Sequence, residues 1–184
     1  IDADGDMDVV SPFHHDDTIA WYENDGSENF TEHIITTSSD GAISVYSIDV
    51  NGDGHMDILS ASETDDAIAW YENDGAADPS WTAADIATSA AAATFAIAVD
   101  LDNDGDMDIV SSSEDDNAIA WYENDGAADP SWTAADIATS ASGARSVFVA
   151  DMDGDGDMDI VSASYGDHKI AWYENNGAAD PSWA

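Results

Sequence analysis

A unit of about fifty residues runs four times through this chain, and an acidic loop opens each copy. The loop is plainest as Asp151-Met152-Asp153-Gly154-Asp155-Gly156-Asp157-Met158-Asp159, a D-x-[DN]-x-D-G-x-x-D pattern. It is complete from Asp49, Asp100 and Asp151, and partial at the start, where Asp2, Asp4, Asp6 and Asp8 stand. The fifth loop position falls at Asp4, Asp53, Asp104 and Asp155, at intervals of 49, 51 and 51 residues. Trp-Tyr-Glu-Asn begins at Trp21, Trp70, Trp121 and Trp172 and keeps those intervals. Residues Ala67–Ala90 and Ala118–Ala141 are identical over 24 positions. Such periods mark arrays of one small unit that buries its apolar surface only against its neighbours. The expectation is one domain, 1–184, with repeats near 1–41, 42–92, 93–143 and 144–184.

Within a unit the pattern is of short strands. In the third, Phe95–Val99, Met107–Ser111, Ala118–Glu123 and Trp132–Thr139 read as strands. Turn signals separate them: Asn103-Asp104-Gly105, Asp115-Asp116-Asn117, Asn124-Asp125-Gly126 and Asp129-Pro130. Strand alternation puts Ile119 and Trp121 on one face and Ala120 and Tyr122 on the other. Both faces are apolar, so both must be covered. Four such strands per unit predict an all-β fold, a β-propeller of four-stranded antiparallel blades. It is either a small four-bladed ring or part of a larger one. Trp21, Trp70, Trp121 and Trp172 are then packing between blades. Trp81, Trp132 and Trp183, each after Pro-Ser at a strand entry, are read the same way.

Charge narrows the partners. Asp and Glu total 41 against two cations, Arg145 and Lys169, for a net charge of −39. Such a surface repels nucleic acid and anionic membranes. No apolar run has the length of a spanning helix, so membrane insertion is not expected. A 43% hydrophobic share sets the chain apart from a disordered acidic tail. Without cysteine it has neither disulfides nor thiolate metal sites.

Oxygen ligands at alternate positions, with a glycine at the bend, suit a hard cation such as Ca²⁺. In the third loop Asp100, Asp102, Asp104 and Asp108 supply side-chain oxygens at positions one, three, five and nine. Asp106 stands at position seven, where a backbone carbonyl serves. The fourth loop repeats the set with Asp151, Asp153, Asp155, Asp157 and Asp159. The second has Asp49, Asn51, Asp53, His55 and Asp57, one charge fewer at position three, and is expected to bind more weakly. The first has Asp2, Asp4, Asp6 and Asp8 without position one. Three complete calcium sites and a fourth truncated at the N-terminus are therefore expected. An EF-hand is excluded, since position twelve of the third loop is Ser111 rather than Glu and strands flank the loop. Carboxylates about 4 Å apart repel by on the order of 4 kcal/mol per pair at an effective dielectric of 20, an upper bound without a cation.

The loop running into Met-Asp-Ile-Val-Ser, repeated together with Ile-Ala-Trp-Tyr-Glu-Asn, resembles the FG-GAP and VCBS repeat family, known from integrin α-subunit propellers. The resemblance covers essentially the whole chain. It implies four-stranded blades, with calcium held by the loop's Asp and Asn residues between the innermost strand and the next. Family propellers usually have seven blades, and this chain has four units.

Counted in that order, the first unit lacks its innermost strand and the last lacks most of its outermost. Three, four, four and three strands make fourteen. Either terminal residues close the ring or another subunit supplies the strands. An unpaired edge invites strand addition, and head-to-tail addition that does not close gives a filament. The expected function is an extracellular, calcium-stabilised structural subunit that self-associates head-to-tail through its termini. The alternative is an adhesion module, a fragment of a larger integrin-α-like propeller, that binds glycan or protein through variable loops such as Phe13-His14-His15-Asp16 and Tyr165-Gly166-Asp167-His168-Lys169. His14 and His15 are read as loop variation rather than a transition-metal site. No nucleophile–base order or phosphate loop is visible, so an enzyme is not expected.

Overall fold

A computed structural model describes residues 1–179 and 181–183. Among them the chain is all-β, with fourteen strands in four antiparallel sheets. No helix of the described residues is long and apolar enough to cross a membrane.

The first sheet holds β1 (Val9–Phe13), β2 (Thr18–Asn24) and β3 (Phe30–Thr36). The second holds β4 (Ala42–Ile48), β5 (Asp57–Ser62), β6 (Ala67–Asn73) and β7 (Trp81–Ala87). The third holds β8 (Ala93–Val99), β9 (Asp108–Ser113), β10 (Ala118–Asn124) and β11 (Trp132–Ala138). The fourth holds β12 (Ala144–Ala150), β13 (Asp159–Ser164) and β14 (Lys169–Tyr173). Each sheet is a meander of chain neighbours.

Four-stranded sheets are thus found only in the second and third units. Beyond β14 the described residues add a single bridge, Asn175 to Trp183, where the middle sheets carry a full strand. The sheets hold three, four, four and three strands, the count expected from the sequence, and no closed sheet forms among the described residues. The sheets instead pack in chain order, first on second, second on third, third on fourth.

β8 starts at Ala93 rather than Phe95, and β9 runs on to Ser113 rather than ending at Ser111. The register between β8 and β9 slips between Ala93 and Phe95. Thr94 is the extra residue. Its buried hydroxyl donates to the Ser112 carbonyl at 2.9 Å and lies 3.0 Å from the Ala144 carbonyl of the next sheet. A bulge breaks the alternation that marks a strand, and alanine has weak strand preference, so neither advertises the extension.

Both strand faces are covered, as their apolar character requires. Ile119 and Trp121 pack with Val147 and Ile160 of the fourth sheet. Ala120 and Tyr122 pack with Leu59 and Ile68 of the second. Ile19 makes the equivalent contact with Ile58, Ala69 and Tyr71. Each interface therefore sets an Ile/Trp face against an Ala/Tyr face. Trp21, Trp70 and Trp121 are 1–3% exposed. Trp172 departs from the expectation at 45% exposed, because no following sheet among the described residues covers its face. Trp81, Trp132 and Trp183 are half-buried and pack against the three interfaces in turn.

Candidate metal centres in the acidic loops

The complete acidic loops join β4 to β5, β8 to β9 and β12 to β13, at the same end of their sheets. Glycine shapes each one. Gly105 has φ +101°, which an L side chain rarely adopts, and its N–H donates to Asp100 Oδ2 at 3.1 Å. The same bond runs from Gly54 to Asp49 (2.8 Å) and from Gly156 to Asp151 (3.1 Å). Short side-chain-to-backbone bonds stiffen the turn further. Asp104 N–H donates to Asp102 and Asp106 N–H to Asp104, with counterparts in the other loops.

Positions one, three and five converge. Carboxylate oxygens of Asp100, Asp102 and Asp104 lie within 4.8 Å of one another, as do those of Asp151, Asp153 and Asp155. Asp100 Oδ1 is buried without a hydrogen-bond partner. An unpartnered buried oxygen on a carboxylate that converges with two others is what a bound divalent cation would satisfy, so the residues present fit a hard cation. In the second loop Asp49 and Asp53 flank Asn51, whose Oδ1 accepts from Asp53 N–H at 3.1 Å. Its amide donates to Asp53 and to Glu72, both at 3.2 Å. Glu72, from Trp-Tyr-Glu-Asn, thus reaches the loop, a role sequence reasoning missed. The first loop keeps the turn through Asp2, Asp4 and Asp6.

Position nine is already engaged. Asp57, Asp108 and Asp159 are fully buried. Asp108 Oδ2 accepts from Leu101 N–H (3.2 Å) and its Oδ1 from Asn124 N–H (2.8 Å). Asp57 does the same for Val50 and Asn73, and Asp159 for Met152 and Asn175. Asp8 binds the Ile1 ammonium and Asn24 N–H. These carboxylates clamp the loop to the far end of the third strand along, leaving their remaining lone pairs for an ion.

The side chains at position seven point elsewhere. A Cβ built on Gly75 would strike His55, and one on Gly26, Gly126 or Gly177 would strike Asp6, Asp106 or Asp157. Each position-seven side chain thus rests on the glycine two residues after Trp-Tyr-Glu-Asn. That asparagine is the second feature the sequence reading missed. Asn124 is 3% exposed, donates to Met107 O and accepts from Gly126 N–H. Its recurrence in register, always two residues before a glycine, was the available signal.

Burial raises the pKa of some of the loop carboxylates. Burial pushes Asp108 up to about 7, against the lowering pull of the Asn124 and Leu101 N–H groups. Burial likewise raises Asp57, and raises Asp102 with help from the charges of Asp104 and Asp100. A cation among these groups would reverse the effect.

The family model for the FG-GAP-like repeat matches three times, over residues 1–60, 49–111 and 100–162. The chain belongs to the FG-GAP-like repeat family. Successive FG-GAP-like matches overlap across the loops that begin at Asp49 and Asp100, so each spans one acidic loop through to the next. The matched repeats end in β5, β9 and β13, just past the clamping aspartates. No curated protein matches the chain.

Proposed function

We propose that this FG-GAP-like chain is a calcium-stabilised, β-propeller-type extracellular module that works by association rather than catalysis. The observation that carries the reading is the convergence of Asp100, Asp102 and Asp104, with Asp100 Oδ1 left partnerless, and a matching triad at Asp151, Asp153 and Asp155. Calcium would be held by those oxygens, with Asp49, Asn51 and Asp53 as a weaker third site. It would supply the positive charge that the loops lack. Extracellular modules of this kind need only sub-millimolar affinity, which calcium outside cells saturates. Loops that join successive strands of each sheet make ion binding part of the folding free energy.

Self-association is the second half of the proposal. The sheets pack through repeated apolar interfaces, and Val9, Ile170 and Trp172 on the outer sheets are exposed among the described residues. Sedimentation velocity in calcium and in chelator tests it. Species larger than the monomer are expected in calcium, and monomers under every condition overturn it.

A recognition role has one observation in its favour. Arg145, Tyr165, His168 and Lys169 line a shallow pocket that gathers both cations of the chain. An acidic glycan or peptide would suit it. Binding to a glycan array by monomers, lost on Lys169→Glu, would move the function to this reading.

A further inference from the structure

The turn between β1 and β2 carries His14 and His15 side by side, where the other units have Glu63-Thr64, Glu114-Asp115 and Tyr165-Gly166. Adjacent residues of a strand point to opposite faces, so from sequence such a pair reads as loop variation. Both residues lie in the turn itself, which Asp16 N–H closes on the Phe13 carbonyl at 3.1 Å. The turn brings His14 Nδ1 to 3.2 Å from His15 Nδ1, with the ring centres 4.9 Å apart and the planes at 90°. A straight N–H···N bond of that length would set the centres about 5.4 Å apart, since each lies roughly 1.1 Å behind its nitrogen. Two rings that aim their Nδ1 lone pairs at one point about 2.05 Å from each nitrogen have centres about 4.9 Å apart and an opening of about 103°. The observed separation matches the second arrangement.

His14 also has a carboxylate behind it. Its Nε2 faces Glu63 Oε2 at 3.4 Å, from the matching turn of the second sheet. A carboxylate at the far nitrogen keeps the proton there and leaves Nδ1 a free lone pair, the support that metal-bound histidines ordinarily have. We propose that His14 and His15 bind one zinc ion through their Nδ1 atoms, with Glu63 orienting His14 from the next sheet. The opening of about 103° is nearer the tetrahedral angle of zinc than the right angle of a square-planar site. Two protein nitrogens leave two positions for water or for a donor group of a bound partner, so the site is open. The His14 and Glu63 side chains are each 40% exposed, which gives an ion access. A net charge of −39 draws divalent cations to the surface, and imidazole nitrogen then selects zinc over calcium. The site is separate from the acidic loops, because β1, about 15 Å of strand, lies between it and Asp8. Zinc at this turn also couples the first sheet to the second through Glu63.

The test is a calorimetric zinc titration in enough calcium to fill the acidic loops, with thermal melts to confirm that each variant remains folded. One zinc per chain is expected, with a micromolar dissociation constant. Glu63→Gln is expected to weaken binding about tenfold, as loss of an orienting carboxylate does, and His15→Ala more than that. In nitrogen NMR spectra of the histidine rings, zinc is expected to move the Nδ1 signals of His14 and His15 and to leave those of His33, His55 and His168 in place. Zinc affinity unchanged in His15→Ala, or ring signals that stay where they were, would put the ion on carboxylates and overturn the site. No zinc binding in calcium would overturn it as well. These outcomes leave the calcium reading standing, since that is read from melting in calcium and chelator without zinc.

Discussion

The side-chain amide of Asn175 donates to the carbonyl of Leu101, 3.0 Å away and 74 residues earlier. It ties the fourth sheet to the acidic loop of the third. The same amide group donates to Met158 O, its Oδ1 accepts from Gly177 N–H, and its backbone N–H holds Asp159. One buried residue thus joins two metal loops.

Asn175→Ala strips three hydrogen bonds from a buried site. The expected cost is about 2–4 kcal/mol, since the abandoned partners stay desolvated. Urea unfolding measures it. Asn24→Ala, in the half-buried first unit, is expected to cost less, and equal losses would refute the bridging role.

Gly126→Ala sets a methyl against the Asp106 carboxylate at φ +69°, while the same change at Gly105 meets nothing within 4 Å. Both incur backbone strain of roughly 1 kcal/mol, and only the first adds a clash. Thermal melts should therefore rank Gly126→Ala as the more damaging. Asp106→Ala should restore part of its loss.

Asp108 gives the metal-free chain a defined pH response. Its folded pKa of about 7 lies above the unfolded value, so the folded chain holds a proton that the unfolded chain has released. The stability it contributes is complete below about pH 4 and is lost as pH rises through about 7. In chelator, urea midpoints should fall between pH 4.5 and pH 8, and Asp108→Asn should flatten the slope. An unchanged slope in the variant would remove Asp108 as the cause.

Periodicity made much of this legible before any coordinates. The loop spacing and the Ile-x-Trp alternation located the strands, their two covered faces and the Asp100, Asp102 and Asp104 cluster. Besides the reach of Glu72, three things escaped. Thr94 hides in an alanine-rich bulge without alternation. Asn73, Asn124 and Asn175 bond to groups 16 or more residues away in the chain, which no local pattern encodes. Ile170-Ala171-Trp172 matches Ile119-Ala120-Trp121 letter for letter, yet one is exposed and the other buried. Burial there is decided by the neighbouring sheet, not by the strand.

Calcium-dependent thermal unfolding reads the ion's part in holding the fold. Two or more sites saturated a hundredfold above their dissociation constants contribute about 2.7 kcal/mol each, which raises the melting temperature by about 10 °C or more. That rise is expected on adding calcium, with its loss in chelator and a smaller rise in a chain carrying both Asp102→Asn and Asp153→Asn. A melting temperature indifferent to calcium and chelator would leave the acidic loops without a stabilising ion.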